Sequence, residues 1–404
     1  MLSGWVSPLF FQGAILLLPV ALTLCFRRLS LQSQEAEEKT TWAAYRAFGR
    51  FILAITVASW WVLWDLHGRS DLISVIGHTR PGALETSPEA TPLFWVPPIV
   101  SVGIFLLLCN TTDKRILNLK WTTTDTLRQV WWKLVSFVIP LLMVAAGFST
   151  ILDGKIKGIG WLLVAGAASK VGTGFLRRAE GMRFNALKSG ETRNRALTLA
   201  SRMGVTLSRI YVVPAGKGHL TNAYGMSNAI ALTDNLGKYL TNTEKDYVIA
   251  HELAHVKLKH GRKELLLVVA IFSTMTFLAF ILRQQAGPFR PLLQLVVMIG
   301  PLVALYYCSR RFEYSADREA VDFTGDPETA IRALGKLHHC QELPAAHDGF
   351  TELFMTHPTF VRRIQAIAYD GHVPGDRVAD ILEDSGISAS TSPKPTGARK
   401  TTEN

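Results

Sequence analysis

The strongest constraint on this chain is a series of apolar runs long enough to cross a bilayer: Leu9 to Phe26, Phe51 to Leu66, Leu93 to Cys109, Trp132 to Ile151, Leu265 to Leu282 and Leu292 to Cys308. A helix rising 1.5 Å per residue covers a hydrocarbon core of roughly 30 Å with about 20 residues. Lipid offers backbone amides no water, so such runs must satisfy their hydrogen bonds internally, as helices. The stretch from Gly158 to Phe175 counts as a further span. Its glycines permit close helix approach, and its single Lys170 can snorkel or face a polar cavity. With 48% hydrophobic and only 19% charged residues among 404, the chain is too apolar for an ordinary soluble protein of this size. The expected fold is mainly α: a multi-span helical membrane protein with about seven spans.

Charge placement orients the spans. The net charge is +11, but the basic residues fall mostly in loops between apolar runs, where cytoplasmic retention of Lys and Arg accounts for them without nucleic acid as a partner. The first run has neither a basic region before it nor a small-residue cleavage site after it, so it reads as a retained anchor. Arg27 and Arg28 follow it and keep its end inside. The loops with Lys39, Arg46 and Arg50 and with Lys114, Arg115, Lys120 and Arg128 are then also inside. Five crossings return the chain to the cytoplasm at Arg177-Arg178, and the last two runs form a hairpin around Gly287-Pro288 that leaves and comes back. Trp60, Trp61 and Trp64 mark a membrane interface, and Pro97-Pro98 predicts a break or kink in the third span. The four cysteines, Cys25, Cys109, Cys308 and Cys340, include no CxxC pair and read as free thiols.

Between Arg177 and the hairpin the chain is mixed. Thr192 to Met203 is helical and ended by Gly204, Ser208 to Val213 and Ala229 to Thr233 read as strands, and Gly216-Lys217-Gly218 lacks the spacing of a phosphate loop. Then comes His251-Glu252-Leu253-Ala254-His255. Residues four apart share a helix face, so His251 and His255 can bind one Zn²⁺ while Glu252 stands beside it as a proton acceptor for water. The helix is expected to start near Thr243 or Glu244 and to run on through Lys257, His260 and Arg262 into the span ending near Leu282. His255 then lies roughly 15 Å before Leu265, at the cytoplasmic face.

A third ligand is required. Just after the hairpin, on the same membrane face, Glu313 and Asp317 stand four apart in Ser309 to Asp317. Glu313 can complete the metal site, and Asp317 can accept a hydrogen bond from the free ring nitrogen of a ligating His and fix its tautomer. Elsewhere such a pair reads as a solvated acidic face; opposite a two-His helix it does not. His338-His339-Cys340 is no second site, because neighbouring residues on a helix point apart, and it reads as a surface helix end.

Asn222-Ala223-Tyr224, the Ile230 to Leu236 run, His251 to His255 with His260 beyond, Ser309 to Asp317, and His357-Pro358 with Arg363-Ile364 together resemble the integral-membrane gluzincin metallopeptidases, the group of the type I CAAX prenyl endopeptidases and the HtpX-type membrane proteases. The resemblance covers about residues 190 to 370. It implies one Zn²⁺ per chain held by His251, His255 and Glu313, a catalytic Glu252, substrate binding by Asn222, and His357 and Arg363 lining the site as further catalytic residues, with Arg363, His357 or Asn222 stabilising the tetrahedral oxyanion. It also implies a zincin-like α+β catalytic domain split by the transmembrane hairpin. The domain reading is residues 1–175 for the membrane region, 176–262 and 310–386 for the two parts of the catalytic domain, 263–309 for the hairpin, and 387–404 for a disordered tail. Ala254 departs from the Gly usual in prenyl endopeptidases, and no signal for retention in the endoplasmic reticulum is evident. The expected function is a membrane-embedded zinc endopeptidase acting on prenylated CAAX-type or membrane-associated proteins, with its active site on the cytoplasmic side of a bacterial inner membrane or the endoplasmic reticulum. The alternatives are an HtpX-like quality-control protease and a non-proteolytic zinc-binding scaffold. A channel would need charges along its spans, and apart from Lys170 they hold almost none.

Overall fold

Among the described residues the apolar runs are helical, the form in which a backbone bonds to itself. A computed structural model describes residues 6–32, 56, 90–116, 119–152, 156–179, 184–214, 223–225, 228–282, 289–341, 352–353 and 355–387. The expected second span, the Gly216-Lys217-Gly218 triplet, Asn222 and the tail beyond Ile387 therefore lie outside the described residues, Thr56 of that span excepted. The described chain is mainly helical and divides into two compact units, one drawn from Met1–Met182 and Leu265–Tyr306, the other from Arg183–Ala215, His219–Glu264 and Tyr307–Asn404.

The first unit holds α1 (Val6–Gln32), α2 (Ala90–Ile116), α3 (Thr123–Lys133), a π-helical segment (Leu134–Val138), α4 (Ile139–Leu152) and α5 (Gly158–Ala179). The helix assignment of α2 continues through Pro97-Pro98, so the break expected there is absent; membrane helices tolerate such prolines where neighbours satisfy the freed carbonyls. Val102, Val138, Leu142 and Val297 form its apolar centre. α4 and α5 approach closely where two glycines face each other: a Cβ on Gly158 would stand 2.7 Å from Ile151 Cγ1, and one on Gly147 2.8 Å from Leu162 Cδ2. Leu17, Leu163 and Val171 are exposed. Among the described residues, two helical stretches are long and apolar enough to cross a membrane, Thr123–Val144 and Leu295–Thr324. Only 12% of the apolar window of the second is buried, unlike the core helix of a soluble protein.

The second unit opens with β1 (Asn185–Ala186) and α6 (Glu191–Arg202). Gly204 adopts φ +69°, a left-handed conformation that glycine enters without penalty, and ends α6 where the sequence predicts. β2 (Arg209–Val213), β3 (Ala223–Gly225) and β4 (Ala229–Thr233) complete a sheet of order β1-β2-β4-β3, in which β2 and β4 are parallel and the outer pairs antiparallel. All five residues of β4 are buried, as an interior strand requires.

After α7 (Leu236–Tyr239) comes α8 (Asn242–Lys257), which carries the two-histidine motif. Thr241 caps it, accepting from the Glu244 amide while Glu244 reaches back to the Thr241 amide at 2.7 Å. Glu244 is buried and paired with Lys336 at 2.7 Å. α9 (His260–Leu282) does not continue α8. Leu258 ends the helix and Lys259 takes φ +54°, so the continuous helix expected from Thr243 to Leu282 is broken. A non-glycine residue there costs about 1–2 kcal/mol, which surrounding contacts must offset. α10 (Arg290–Thr324) is a single 35-residue helix, followed by α11 (Pro327–Gln341), α12 (Phe360–Asp370) and α13 (Gly375–Asp384). Leu199 of α6, Ile230 and Leu232 of β4, Ile249 and Leu253 of α8, Ala316 and Ala320 of α10, Ile331 of α11, Ile364 of α12 and Ile381 of α13 share one core.

Candidate metal centre

Every residue of α8 from Tyr247 to Ala254 is buried, so the motif lies on a core helix. The spacing 247, 251, 255 aligns Tyr247, His251 and His255 along one face. On α10 the same four-residue spacing aligns Glu313 with Asp317, and Ala316 and Ala320 let that helix approach closely in the core. The consequence is convergence. His251 Nε2 and His255 Nε2 stand 3.2 Å apart, and each lies 3.6 Å from an oxygen of Glu313. Ligand atoms about 2.1 Å from a tetrahedral centre are separated from one another by roughly 3.4 Å. Two imidazole nitrogens and a carboxylate at these separations fit a metal ion of that kind, and these three residues form a group able to hold one.

The expected supporting residue also lies here. Asp317 Oδ1 is 2.9 Å from His251 Nδ1, the ring nitrogen away from Glu313. Asp317 is 2% exposed and further accepts from the Tyr247 hydroxyl (2.9 Å) and from Arg363 Nε (2.8 Å) and Nη2 (2.6 Å). Arg363 comes from α12, where Thr359 caps the helix by accepting from the Arg362 amide. Burial lowers the affinity of the Arg363 guanidinium for its proton, but the Asp317 carboxylate outweighs it and holds the pKa well above the usual range. For His251, burial likewise disfavours the charged ring, and the Asp317 and Glu313 carboxylates overcome it, raising the pKa to about 10. At His255 burial and the nearby His251 push the pKa down to about 3; the Glu313 carboxylate also favours the charged ring there but is outweighed, so the ring is neutral.

His357 lies with Nδ1 3.1 Å from Glu313 Oε1, its side chain 66% exposed. The segment before it is clamped: Arg310 Nη1 donates to the carbonyls of Glu352 (2.9 Å) and Met355 (2.8 Å), and Glu352 accepts from the Thr359 amide and pairs with Arg362. Glu252 occupies the turn of α8 between the two histidines and is 8% exposed. Of the residues singled out in the sequence, His251, His255, Glu313, Asp317, His357 and Arg363 meet in direct contacts. Asn222 lies outside the described residues, next to the first residue of β3.

Two participants escape the sequence reading. Tyr247 has a signal, its four-residue spacing before His251; Arg310 has none. Conversely, His338-His339-Cys340 does close α11, but His338 is half-buried and stacked on Phe360 at 4.2 Å, so only His339 belongs to the surface.

Comparison with known proteins gives this geometry its context. The model of peptidase family M48 matches residues 186–370. A Protease HtpX homolog of Syntrophobacter fumaroxidans is 30% identical over 201 residues, covering 44% of this chain and 69% of that protein. Another, from Polynucleobacter necessarius, is 27% identical over 215 residues, covering 44% of this chain and 73% of the relative. The crystal structure of S. mikatae Ste24p superposes with a TM-score of 0.52 at 17% identity, covering 89% of this chain and 99% of that one. The last match is a likeness of fold. Shared sequence through the region that carries the two-histidine helix, the Glu313 helix and the segment with His357 and Arg363 shows that the chain belongs to peptidase family M48 and is a membrane metalloendopeptidase.

Proposed function

We propose that the metal is a single Zn²⁺ held by His251, His255 and Glu313, and that the chain hydrolyses internal peptide bonds of membrane-associated proteins. The observation that carries this reading is the 3.2 and 3.6 Å spacing of three donors on two core helices, with Asp317 behind one of them. When bound, the metal supplies a Lewis acid for the scissile carbonyl and lowers the pKa of a water to about 7. Glu252 takes the proton of the attacking water on its carboxylate and hands it to the leaving amine. Asp317 holds the His251 ring by its Nδ1. Arg363 has Nε and Nη2 committed to Asp317, which favours holding that carboxylate over contacting substrate. The exposed His357, beside Glu313, is the better candidate to meet the developing oxyanion, with Asn222 as a binder of substrate backbone.

The membrane arrangement in this proposal has about seven spans, with the catalytic domain in two parts, residues 176–262 and 310–386, on either side of the 263–309 hairpin. The positive loops support an active site on the cytoplasmic side. The exposed Leu17, Leu163 and Val171 support contact with lipid. The substrates are prenylated CAAX-type or other membrane-associated proteins; an HtpX-like quality-control protease is the alternative, compatible with the HtpX homologues.

The test uses the purified full chain and its Glu252→Gln form, each offered a farnesylated CAAX peptide and an unfolded membrane protein. The wild type cleaves one class in a chelator-sensitive way, and Glu252→Gln retains zinc but loses at least about 100-fold in rate, the lower end of what a general base contributes. A Glu252→Gln enzyme at wild-type rate refutes the assignment, and cleavage of the farnesylated peptide alone selects prenyl-protein processing.

A further inference from the structure

Asp317 Oδ1 stands 2.9 Å from the second nitrogen of His251, but among the described residues no carboxylate stands at that of His255. What stands there is another imidazole. His255 Nδ1 is 2.9 Å from His260 Nδ1, and His260 Nε2 is 3.2 Å from Ser315 Oγ. Ser315 in turn lies 2.9 Å from the Phe312 carbonyl, to which only the hydroxyl can donate.

The protons along this line can be assigned by elimination. Ser315 has one proton, given to Phe312, so toward His260 it accepts, and His260 Nε2 must carry the N–H. A neutral imidazole has one N–H, which leaves His260 Nδ1 an acceptor. The proton between the two rings therefore belongs to His255 Nδ1. The lone pair of His255 is then on Nε2, the atom that faces His251 and Glu313. The opposite assignment would put a proton on that atom and block it.

We propose that His260 and Ser315 are positioning residues which fix His255 in its metal-accepting tautomer, the neutral counterpart of what Asp317 does for His251. This rests on the reading of His251, His255 and Glu313 as the metal site. Two further features support it. His260 is buried and its ring stacks on Phe312 with centroids 4.7 Å apart and planes 17° from parallel, which fixes the direction of both nitrogens. In an unbroken helix, residues five apart point about 140° away from each other. The left-handed Lys259 reverses this and turns His260 back toward His255. A strained residue at the end of the motif helix thus has a task.

The test is zinc affinity of the detergent-purified full chain, read by chelator competition and independent of turnover. His260→Leu, which offers no acceptor, is expected to weaken zinc by roughly 10–100-fold. His260→Gln, whose carbonyl can accept from His255 Nδ1, retains affinity within a few-fold. Ser315→Ala weakens binding by roughly 2–12-fold in the wild-type background and by nothing further on top of His260→Leu, a non-additivity that general destabilisation would not produce. His255→Ala is the control. If it binds zinc as tightly as the wild type, the metal-site reading fails and the relay with it. If it loses zinc while His260→Leu and Ser315→Ala keep the wild-type constant, the relay alone is overturned. Should His260→Leu not fold, an unchanged affinity in Ser315→Ala has the same force.

Discussion

Replacing Asp317 with Asn changes one atom in the middle of four contacts, and the structure separates its two consequences. The wild-type carboxylate is 2% exposed and accepts from Tyr247, from Arg363 twice, and lies against His251 Nδ1. An amide keeps the shape but loses the charge and turns one acceptor into a donor that faces donors. Arg363, with its side chain only 18% exposed, then retains Glu313 at 3.8 Å as its nearest anion. Breaking a buried pair by removing one partner costs about 3–5 kcal/mol, several times the 0.5–1.5 kcal/mol of one neutral hydrogen bond. The stranded cation is thus the larger effect. At about 2–4 °C per kcal/mol, metal-free Asp317→Asn should melt roughly 6–20 °C below the wild type. Separately, loss of the His251 support should weaken zinc by roughly 10–100-fold. The double variant Asp317→Asn/Arg363→Met removes the stranded charge and should regain much of the melting temperature without regaining the zinc. Thermal scans in detergent with and without metal, beside chelator competition, measure both. A metal-free single variant melting within about 2 °C of the wild type, or a double variant no more stable than the single one, would refute the reasoning.

Two other perturbations test parts of the fold away from the metal. Burial against Phe360, with His339 beside it, lowers the His338 pKa from 6.5 to about 4. Between those values the unfolded chain binds a proton that the native chain refuses, so stability is lost as pH falls from about 6.5 to 4, by of order 3 kcal/mol in all. His338→Gln should flatten that part of the stability profile; an identical slope in the variant would show that His338 does not contribute. In the first unit, Gly158→Val places a side chain against Ile151 and should cost about 1–3 kcal/mol, whereas Gly160→Val, whose Cβ meets nothing within 4 Å, should be silent in the same thermal scan.

Much of the site was legible because its parts obey local rules. Four-residue spacing put His251 with His255 and Glu313 with Asp317, and a short strand-like run placed β4 at Ala229–Thr233. Tyr247 obeys the same spacing and was readable in principle. Other features were hidden because no local pattern encodes them. The Pro97-Pro98 pair reads as a break or kink, yet α2 continues through it without a break. The polar 338–340 stretch reads as surface, yet packing of α12 covers His338.

By itself, then, the sequence determined which residue types lie on which helix face and which runs are apolar enough for lipid. From these came the metal-binding pattern, the carboxylate helix and the membrane class, since each depends on neighbours within one or two turns. Tertiary structure alone decided which faces meet. His357 reaches Glu313 and Arg363 reaches Asp317 across more than 40 residues of chain because α12 packs in the same core as α8 and α10. It also decided where the motif helix stops. A left-handed lysine carries no signature in sequence, since only the surrounding contacts make its strain tolerable, and that turn brings His260 behind His255.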